Sequence, residues 1–309
     1  MKRLVLPQCG IEAPAMILGL MRIADLSDDR IRSLVGAARD AGITFFDHAD
    51  IYGSHIHGSE ERFAGALQLT SSEREEIILQ TKAGIVRGAG YYDHSYDYLT
   101  AQVEGSLRAL RTDYLDIFLL HRPDPLVEPE EVARLFDDLH SAGKVRHFGV
   151  SNHTVGQIEL LKTAVTRPIV INQMQVSVAH SAMVSQGIAA NTVDDQAVVR
   201  DGGGLLDYCR THGITVQAWS PFQGEHGALI FDRDAYPELN TQLDDLAASY
   251  GVSPEAIAAA WLTRHPADIQ VVLGTTTPER VSAAATGSDL RLTRAEWFGL
   301  ARAAGTIVP

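Results

Sequence analysis

"ITFFDHADIYG", residues 43–53, is a β-branched and aromatic run that breaks into two carboxylates, a histidine and a tyrosine. Alternate side chains of a strand face the same way, so Asp47 follows Ile43 and Phe45 to whichever side they point. If that side is the inside of a closed sheet, the strand ends by placing an acid at its rim. How this stretch is read therefore depends on what the rest of the chain builds.

Seven further runs have the make-up of short buried strands: "AMILG" (15–19), "IILQTK" (77–82), "YLDIFLLH" (114–121), "VRHFGVS" (145–151), "IVINQM" (169–174), "ITVQAW" (214–219) and "IQVVLG" (269–274). Segments of helical period lie between them. Ile31, Leu34, Val35 and Ala38 share one face and stop at Gly42; Val132, Leu135, Phe136 and Leu139 do the same before Gly143; Leu99, Val103, Leu107 and Leu110 form a third set. Strand and helix alternate through 309 residues, which predicts an α/β fold of the (β/α)8 TIM barrel type, a single domain over residues 1–309. "LVLPQCGIEAP" (4–14) is expected to form an N-terminal β-hairpin closing the barrel floor, with extra C-terminal helices at the other end of the chain. The competing architecture is a doubly wound sheet, but "GIVRGAG" (84–90) and "DGGGLL" (201–206) miss the G-x-G-x-x-G spacing and no Walker loop is present.

A content of 45% apolar residues supplies ample side chains for a core. The formal charge of −13 leaves no basic footprint for nucleic acid or an anionic membrane, which favours a small-molecule partner. Cys9 and Cys209 stand in neither a C-x-x-C nor a zinc spacing and read as reduced thiols, and no metal site is evident. "MKRLVLPQCG" has a basic pair but meets Pro7 at once, and no apolar run approaches the roughly 18 residues of a membrane span, so the expected location is cytoplasmic.

In a barrel, strand parity gathers the opening residues with others. Ile78, Gln80 and Lys82 share a face, as do Ile117, Leu119 and His121, so three consecutive strands deliver Asp47, Lys82 and His121 to the carboxyl-end mouth, with Tyr52 on the loop beyond the first. A tyrosine with its ordinary pKa near 10 is a weak acid at neutral pH; an adjacent ammonium favours the phenolate and is expected to bring Tyr52 toward the working range. Asp47 would keep Lys82 charged, and His121 would orient a substrate oxygen. Such a set moves a proton on and off an oxygen while a cofactor moves the electrons.

With these residues in place the chain resembles the aldo-keto reductases. The resemblance rests on "DHADIYG", "LQTKAG", "DYLDIFLLHRPD", "GKVRHFGVSN", "NQMQVS", "QAWSPF" and "LGTTTPERV", which run in order over nearly the whole chain. Within the family it looks closest to the bacterial YdhF-like branch. The resemblance implies reduction of a carbonyl substrate, an aldehyde or ketone, to an alcohol with NADPH. It makes Tyr52 the general acid, tuned by Lys82 and Asp47, with His121 positioning the carbonyl. It implies that Ser151, Asn152 and Gln173 hold the nicotinamide carboxamide and that Trp219 stacks on the ring. Ser220, Pro221, Phe222 and Gly224 would line the pyrophosphate passage. Gly274, Thr275, Thr276 and Thr277 would lead to Arg280, whose guanidinium suits a 2′-phosphate.

Two departures from the family pattern bear on this. Many members have lysine where Gly274 stands and asparagine or glutamine where Ala284 stands, so the preference for NADPH rests chiefly on Arg280. The connection 176–206 is also longer than usual and is expected over the mouth, where it would shape substrate choice.

Several residues have plainer readings. Asn152 would serve as a helix cap, His48 as packing on the opposite strand parity, Asp50 as a turn residue, and the His55-x-His57 pair as part of a solvated loop. "YYDHSYDY" (91–98) is divided between pocket wall and helix entry. For the whole chain, the alternative to catalysis is a nicotinamide-binding regulatory or redox-sensing module with little turnover. The oligomeric state and the substrate are not legible in the sequence.

Overall fold

The computed structural model of the chain describes residues 1–189, 203–224 and 227–307. It opens with an antiparallel hairpin, β1 (Arg3–Val5) and β2 (Glu12–Pro14), in which Leu4 faces Ala13. There follow β3 (Met16–Gly19), α1 (Asp28–Asp40), β4 (Phe45–Asp47), α2 (Gly58–Leu67), α3 (Ser71–Glu75) and β5 (Ile78–Ala83). A second small hairpin, β6 (Ile85–Val86) and β7 (Tyr91–Tyr92), precedes α4 (Tyr96–Leu110), β8 (Leu115–Leu120), α5 (Pro129–Ser141), β9 (Val145–Ser151) and α6 (Val155–Leu161). The last part of the chain contains β10 (Ile169–Gln175), α7 (Ala182–Ile188), α8 (Leu205–His212), β11 (Thr215–Trp219), α9 (Pro237–Tyr250), α10 (Pro254–Thr263), β12 (Gln270–Leu273), α11 (Pro278–Ala285) and α12 (Arg294–Ala303).

Strands β3, β4, β5, β8, β9, β10, β11 and β12 pair in parallel in that order, and β12 pairs with β3 so that no edge is left open: the molecule is a closed (β/α)8 barrel. They are the eight runs predicted from sequence, each end within two residues. Alternation sorts their side chains into two cores. Ile17, Phe45, Ile117, Leu119 and Ile171 pack inside the barrel, while Leu18, Phe46, Phe118, Leu120 and Val150 pack between barrel and helices. Ile43 departs from the expected parity. It precedes the strand and packs in the outer layer with Ile31 and Leu34.

The helices start and stop where local chemistry dictates. Ser27 caps α1 by accepting from the Arg30 amide, and Gly42 beyond its end has φ +83°, a conformation cheap only for glycine. Pro129 opens α5, whose Phe136 stacks on Phe148 of β9 with ring centroids 4.1 Å apart. The floor is closed by the N-terminal hairpin, which adds Leu4, Leu6, Ala13 and Ala15 to the inner core. Of the extra helices only α12 is C-terminal to the barrel strands; α9, which packs against it, is inserted before β12. A stacked pair, Trp261 and Trp297 at 4.8 Å, joins α10 to α12, each indole N–H donating to the other residue's carbonyl.

Candidate active site

The rim at the carboxyl ends of β4, β5 and β8 brings four predicted residues together. Lys82 ends its strand buried, with its ammonium 2.7 Å from each Asp47 carboxylate oxygen and 2.7 Å from the His48 carbonyl. The Tyr52 ring lies over that ammonium, 5.3 Å from Nζ to centroid, and meets the His121 ring edge-on with centroids 5.9 Å apart. Tyr52 is half-buried; the other three are buried.

Below the rim runs a chain of amides that the sequence reading did not assemble. Gln270 Nε2 donates to the Pro14 carbonyl of the floor hairpin (2.8 Å), and Gln217 Nε2 donates to Gln270 Oε1 (3.0 Å). Gln80 and Gln173 each donate from Nε2 both to Gln217 Oε1 (2.9 and 3.1 Å) and to Asp47 Oδ1 (2.6 and 3.1 Å). Asp47 therefore meets four donor contacts on two oxygens, which fix the carboxylate opposite Lys82. The signal was present in the sequence: a glutamine at inward parity in an otherwise apolar strand.

Burial draws the Lys82 ammonium down, but the adjacent Asp47 and Tyr52 outweigh it and leave the group above its ordinary pKa. Tyr52 differs from expectation. Burial pushes its phenol up, Lys82 pulls it down, Asp47 pushes it up again, and the net direction is upward. The phenol is thus held protonated. His121 is held neutral, its pKa driven well below ordinary by burial and by the nearby charges of Lys82 and Arg122. Its Nδ1 has no partner among the described residues.

Three plainer readings change or sharpen. His48 is packing as expected, edge-on to Phe63 at 4.9 Å and held down to about 3 by burial and Lys82. Asp50 does more than serve a turn: its side chain is fully buried and neither carboxyl oxygen makes a full hydrogen bond among the described residues, so burial, and then the charge of Glu60, outweigh the nearby Ile51 amide and push it up to about 7. His57 is not in a solvated loop but bonds Glu60 (2.6 Å), which also accepts from Thr81 (2.5 Å) and Ser106 (3.1 Å). His55 is exposed beside Glu61, as a solvated loop requires.

The residues assigned to a nicotinamide carboxamide do meet. Gln173 pairs with Ser151 in register, Ser151 Oγ donates to the Gln173 carbonyl (2.8 Å), and Asn152 Nδ2 donates to Ser151 Oγ (2.9 Å). Asn152 has φ +62° and does not cap α6, whose cap is Thr154. Its Oδ1 accepts from Trp219 Nε1 (3.1 Å), which fixes the half-buried indole at the rim. Ser220 next to it has φ +46°, a second strained residue at a strand end. Pro221 is buried and Phe222 leans on Phe231, centroids 5.4 Å apart. Gly224 is required by packing: a Cβ there would lie 2.0 Å from Tyr236 Oη.

Gly274, Thr275, Thr276 and Thr277 are half-buried and lead into α11, with Arg280 exposed in its first turn. Glu279 shares that turn, so the guanidinium rather than the helix end decides its appeal to a phosphate. Hydroxyls, an aromatic face at a rim and a cationic helix start fit a nicotinamide dinucleotide.

The long connection after β10 is described only to 189 and from 203; residues 190–202 lie outside the described residues. Its first part is tied down, with Ser177 Oγ on the Gln223 carbonyl (2.6 Å) and Met183 and Val184 buried. In the aromatic segment Tyr91 and Tyr92 are exposed on the β6–β7 hairpin, whereas Tyr96 bonds Asp138 on the helix side (2.8 Å).

Comparison with known proteins agrees with this architecture. A model of the Aldo/keto reductase family matches residues 15–303. The chain is 36% identical to the uncharacterized oxidoreductase YcsN of Bacillus subtilis, over 96% of each chain. It is 34% identical to a 6-dehydroglucose reductase of Agrobacterium fabrum, over 94% of each, and 33% identical to the oxidoreductase YdhF of Escherichia coli, over 98% of this chain and 97% of the other. A crystal structure of the thermostable aldo-keto reductase Tm1743 with the inhibitor epalrestat covers 98% of this chain at TM-score 0.77 and 24% identity, a likeness of fold.

Proposed function

The chain belongs to the aldo/keto reductase family, and from that premise we propose that it reduces an aldehyde or ketone to the alcohol with NADPH, Tyr52 giving the proton. The observation that carries this reading is the Asp47–Lys82 pair set 5.3 Å beneath the Tyr52 ring, with neutral His121 edge-on to the same ring.

When bound, the nicotinamide supplies a hydride to the carbonyl carbon. Tyr52, kept protonated by burial, donates to the carbonyl oxygen as negative charge develops there. Lys82 stabilises the phenolate left behind, an interaction stronger after transfer than before, which is what lowers a barrier. Asp47 prevents Lys82 from shedding its own proton into the buried site. His121, neutral, orients the carbonyl oxygen with a ring N–H. Ser151, Asn152 and Gln173 would hold the carboxamide and Trp219 the ring face. Ser220, Pro221, Phe222 and Gly224 would shape the passage for the pyrophosphate, and Thr275, Thr276, Thr277 and Arg280 would meet the 2′-phosphate end, with Gly274 leaving room beside them.

Consumption of NADPH, followed by its absorbance with a panel of aldehydes and ketones, tests the reading. Tyr52→Phe should keep NADPH affinity and lose about 10²- to 10⁴-fold in turnover. Full turnover in that variant would remove Tyr52 as the acid. Tight NADPH binding without turnover on any carbonyl would favour a binding module instead.

A further inference from the structure

Arg122 directly follows His121 and is half-buried at the rim, yet no carboxylate among the described residues pairs with it. Its guanidinium lies over the Trp219 ring, 5.8 Å from carbon to centroid. The nearest acid in sequence, Asp124, is committed elsewhere: its oxygens accept from the backbone N–H groups of His94 (3.0 Å) and Leu126 (2.8 Å). On the Tyr52 side stands a second cation without a carboxylate, this one exposed to solvent. Arg87, in the turn of the β6–β7 hairpin, donates to the Gly53 carbonyl (2.7 Å), one residue beyond Tyr52, and meets no carboxylate among the described residues.

Unpaired arginines are not unusual where water can solvate them, and Arg108 and Arg294 on exposed helix faces need no explanation. Many on this acidic chain nonetheless find an acid, as Arg39 does in Glu76 (2.6 Å), Arg167 in Asp137 (2.7 Å) and Arg233 in Asp244 (2.7 Å). Arg122 is different because it is partly desolvated beside the residue that orients the substrate. A guanidinium there favours an anion, and its planar donors match a carboxylate or a phosphate better than an uncharged group.

We propose that the substrate is an anionic carbonyl compound, whose carboxylate or phosphate is bound by Arg122, with Arg87 on the Tyr52 flank, while its carbonyl oxygen meets Tyr52 and His121. This rests on the reading of the site as a carbonyl reductase. Among the described residues no ion pair accounts for the charge at Arg122, and it ends no helix.

Matched pairs test it: succinic semialdehyde against butanal for the carboxylate, glycolaldehyde phosphate against glycolaldehyde for the phosphate. In at least one pair kcat/KM should favour the anion by about tenfold or more at low salt, and the advantage should shrink as salt rises. Which pair shows it identifies the anion. Arg122→Gln should cut the anion-to-neutral ratio by about tenfold, and Arg122→Lys should retain part of it. Equal kcat/KM within both pairs would overturn the proposal while leaving the reductase reading intact. A ratio unchanged in Arg122→Gln, with NADPH affinity lowered instead, would also overturn it, because the guanidinium would then serve the cofactor. If no aldehyde is reduced, the reductase reading fails separately. Quenching of tryptophan fluorescence by succinate against succinamide then decides the anion site: binding of succinate alone, lost in Arg122→Gln, upholds it, and equal binding of the two removes it.

Discussion

Two ion pairs with both partners buried, Arg74–Asp116 and Lys82–Asp47, stand out among the described residues of this barrel, and they are furnished differently. Arg74 and Asp116 lie on the outside of the sheet, toward the amino ends of β5 and β8. The guanidinium donates to Thr112 Oγ1 (3.0 Å), to the carbonyls of Ile77 (3.1 Å) and Tyr114 (2.9 Å), and to Asp116 Oδ2 (2.8 Å). Asp116 also accepts from the Leu79 amide (2.9 Å) and from Arg146 (2.9 Å), and both arginines lie over the Tyr114 ring at 4.0 and 3.9 Å. Every polar atom there has a partner. Lys82 and Asp47 are as well bonded to each other, but they are ringed by His48, Asp50 and His121, which carry buried side-chain atoms without hydrogen-bond partners among the described residues. A complete polar network specifies structure, whereas leftover capacity beside a charged pair marks a place built for chemistry.

The largest expected effect separates the two pairs. On the proposed mechanism Lys82→Met should lower turnover by about 10³-fold or more, since it would remove the charge that stabilises a Tyr52 phenolate, and it should also destabilise the fold by about 3 to 5 kcal/mol by stranding Asp47. Arg74→Met should cost about 1 to 3 kcal/mol, read as a fall in the midpoint of urea unfolding: Asp116 keeps Arg146 and the Leu79 amide, but the buried Ile77 carbonyl and the part-buried Tyr114 carbonyl lose their donor. Its kcat, assayed well below the unfolding transition, should stay within about twofold of wild type. Loss of turnover in a folded Arg74→Met protein would break the division between a structural and a catalytic pair.

The contrast also explains what the sequence discloses. Strands were legible because each is a short apolar run with fixed parity, and Asp47, Lys82 and His121 were legible because they end such runs on the inward side. Tyr52 lies beyond a strand, so only its distance from Asp47 and the family resemblance picked it out. The Arg74–Asp116 pair left no trace, since the partners are separated by 42 positions and each stands among ordinary charged neighbours. Depth was the quantity hidden most. "DHADIYG" shows Asp50 between two plausible turn residues, and nothing local says that α2 covers it with Glu60. Arg122 was visible in "HRPD", but the absence of a partner for it is a property of three dimensions. The direction of the Tyr52 shift was misjudged for the same reason: the sequence offers Lys82 as a neighbour and hides the burial that outweighs it.

Asp50 sharpens the comparison to a single titration, with the smallest effect. Its carboxyl has an ordinary value near 3.8 and is pushed up to about 7 in the fold. Between those limits the folded state keeps a proton that the unfolded chain has released, so unfolding releases protons and stability falls as pH rises through the window. Above about pH 7 the penalty is complete, and below about pH 4 it vanishes. An asparagine copies the neutral carboxyl at every pH. Asp50→Asn should therefore be more stable than wild type at pH 8 by about 2 kcal/mol, roughly half the ceiling set by a shift of about three units, since relaxation around a new charge recovers the rest. The gap should close toward pH 4. His48, His94 and His153, all held neutral by burial, give both proteins the same opposing loss of stability in acid, so the difference between the two unfolding curves isolates Asp50. A gap independent of pH would mean that the carboxylate is ionised and satisfied in the fold, and Asp50 would then join Asp116 on the structural side of the divide.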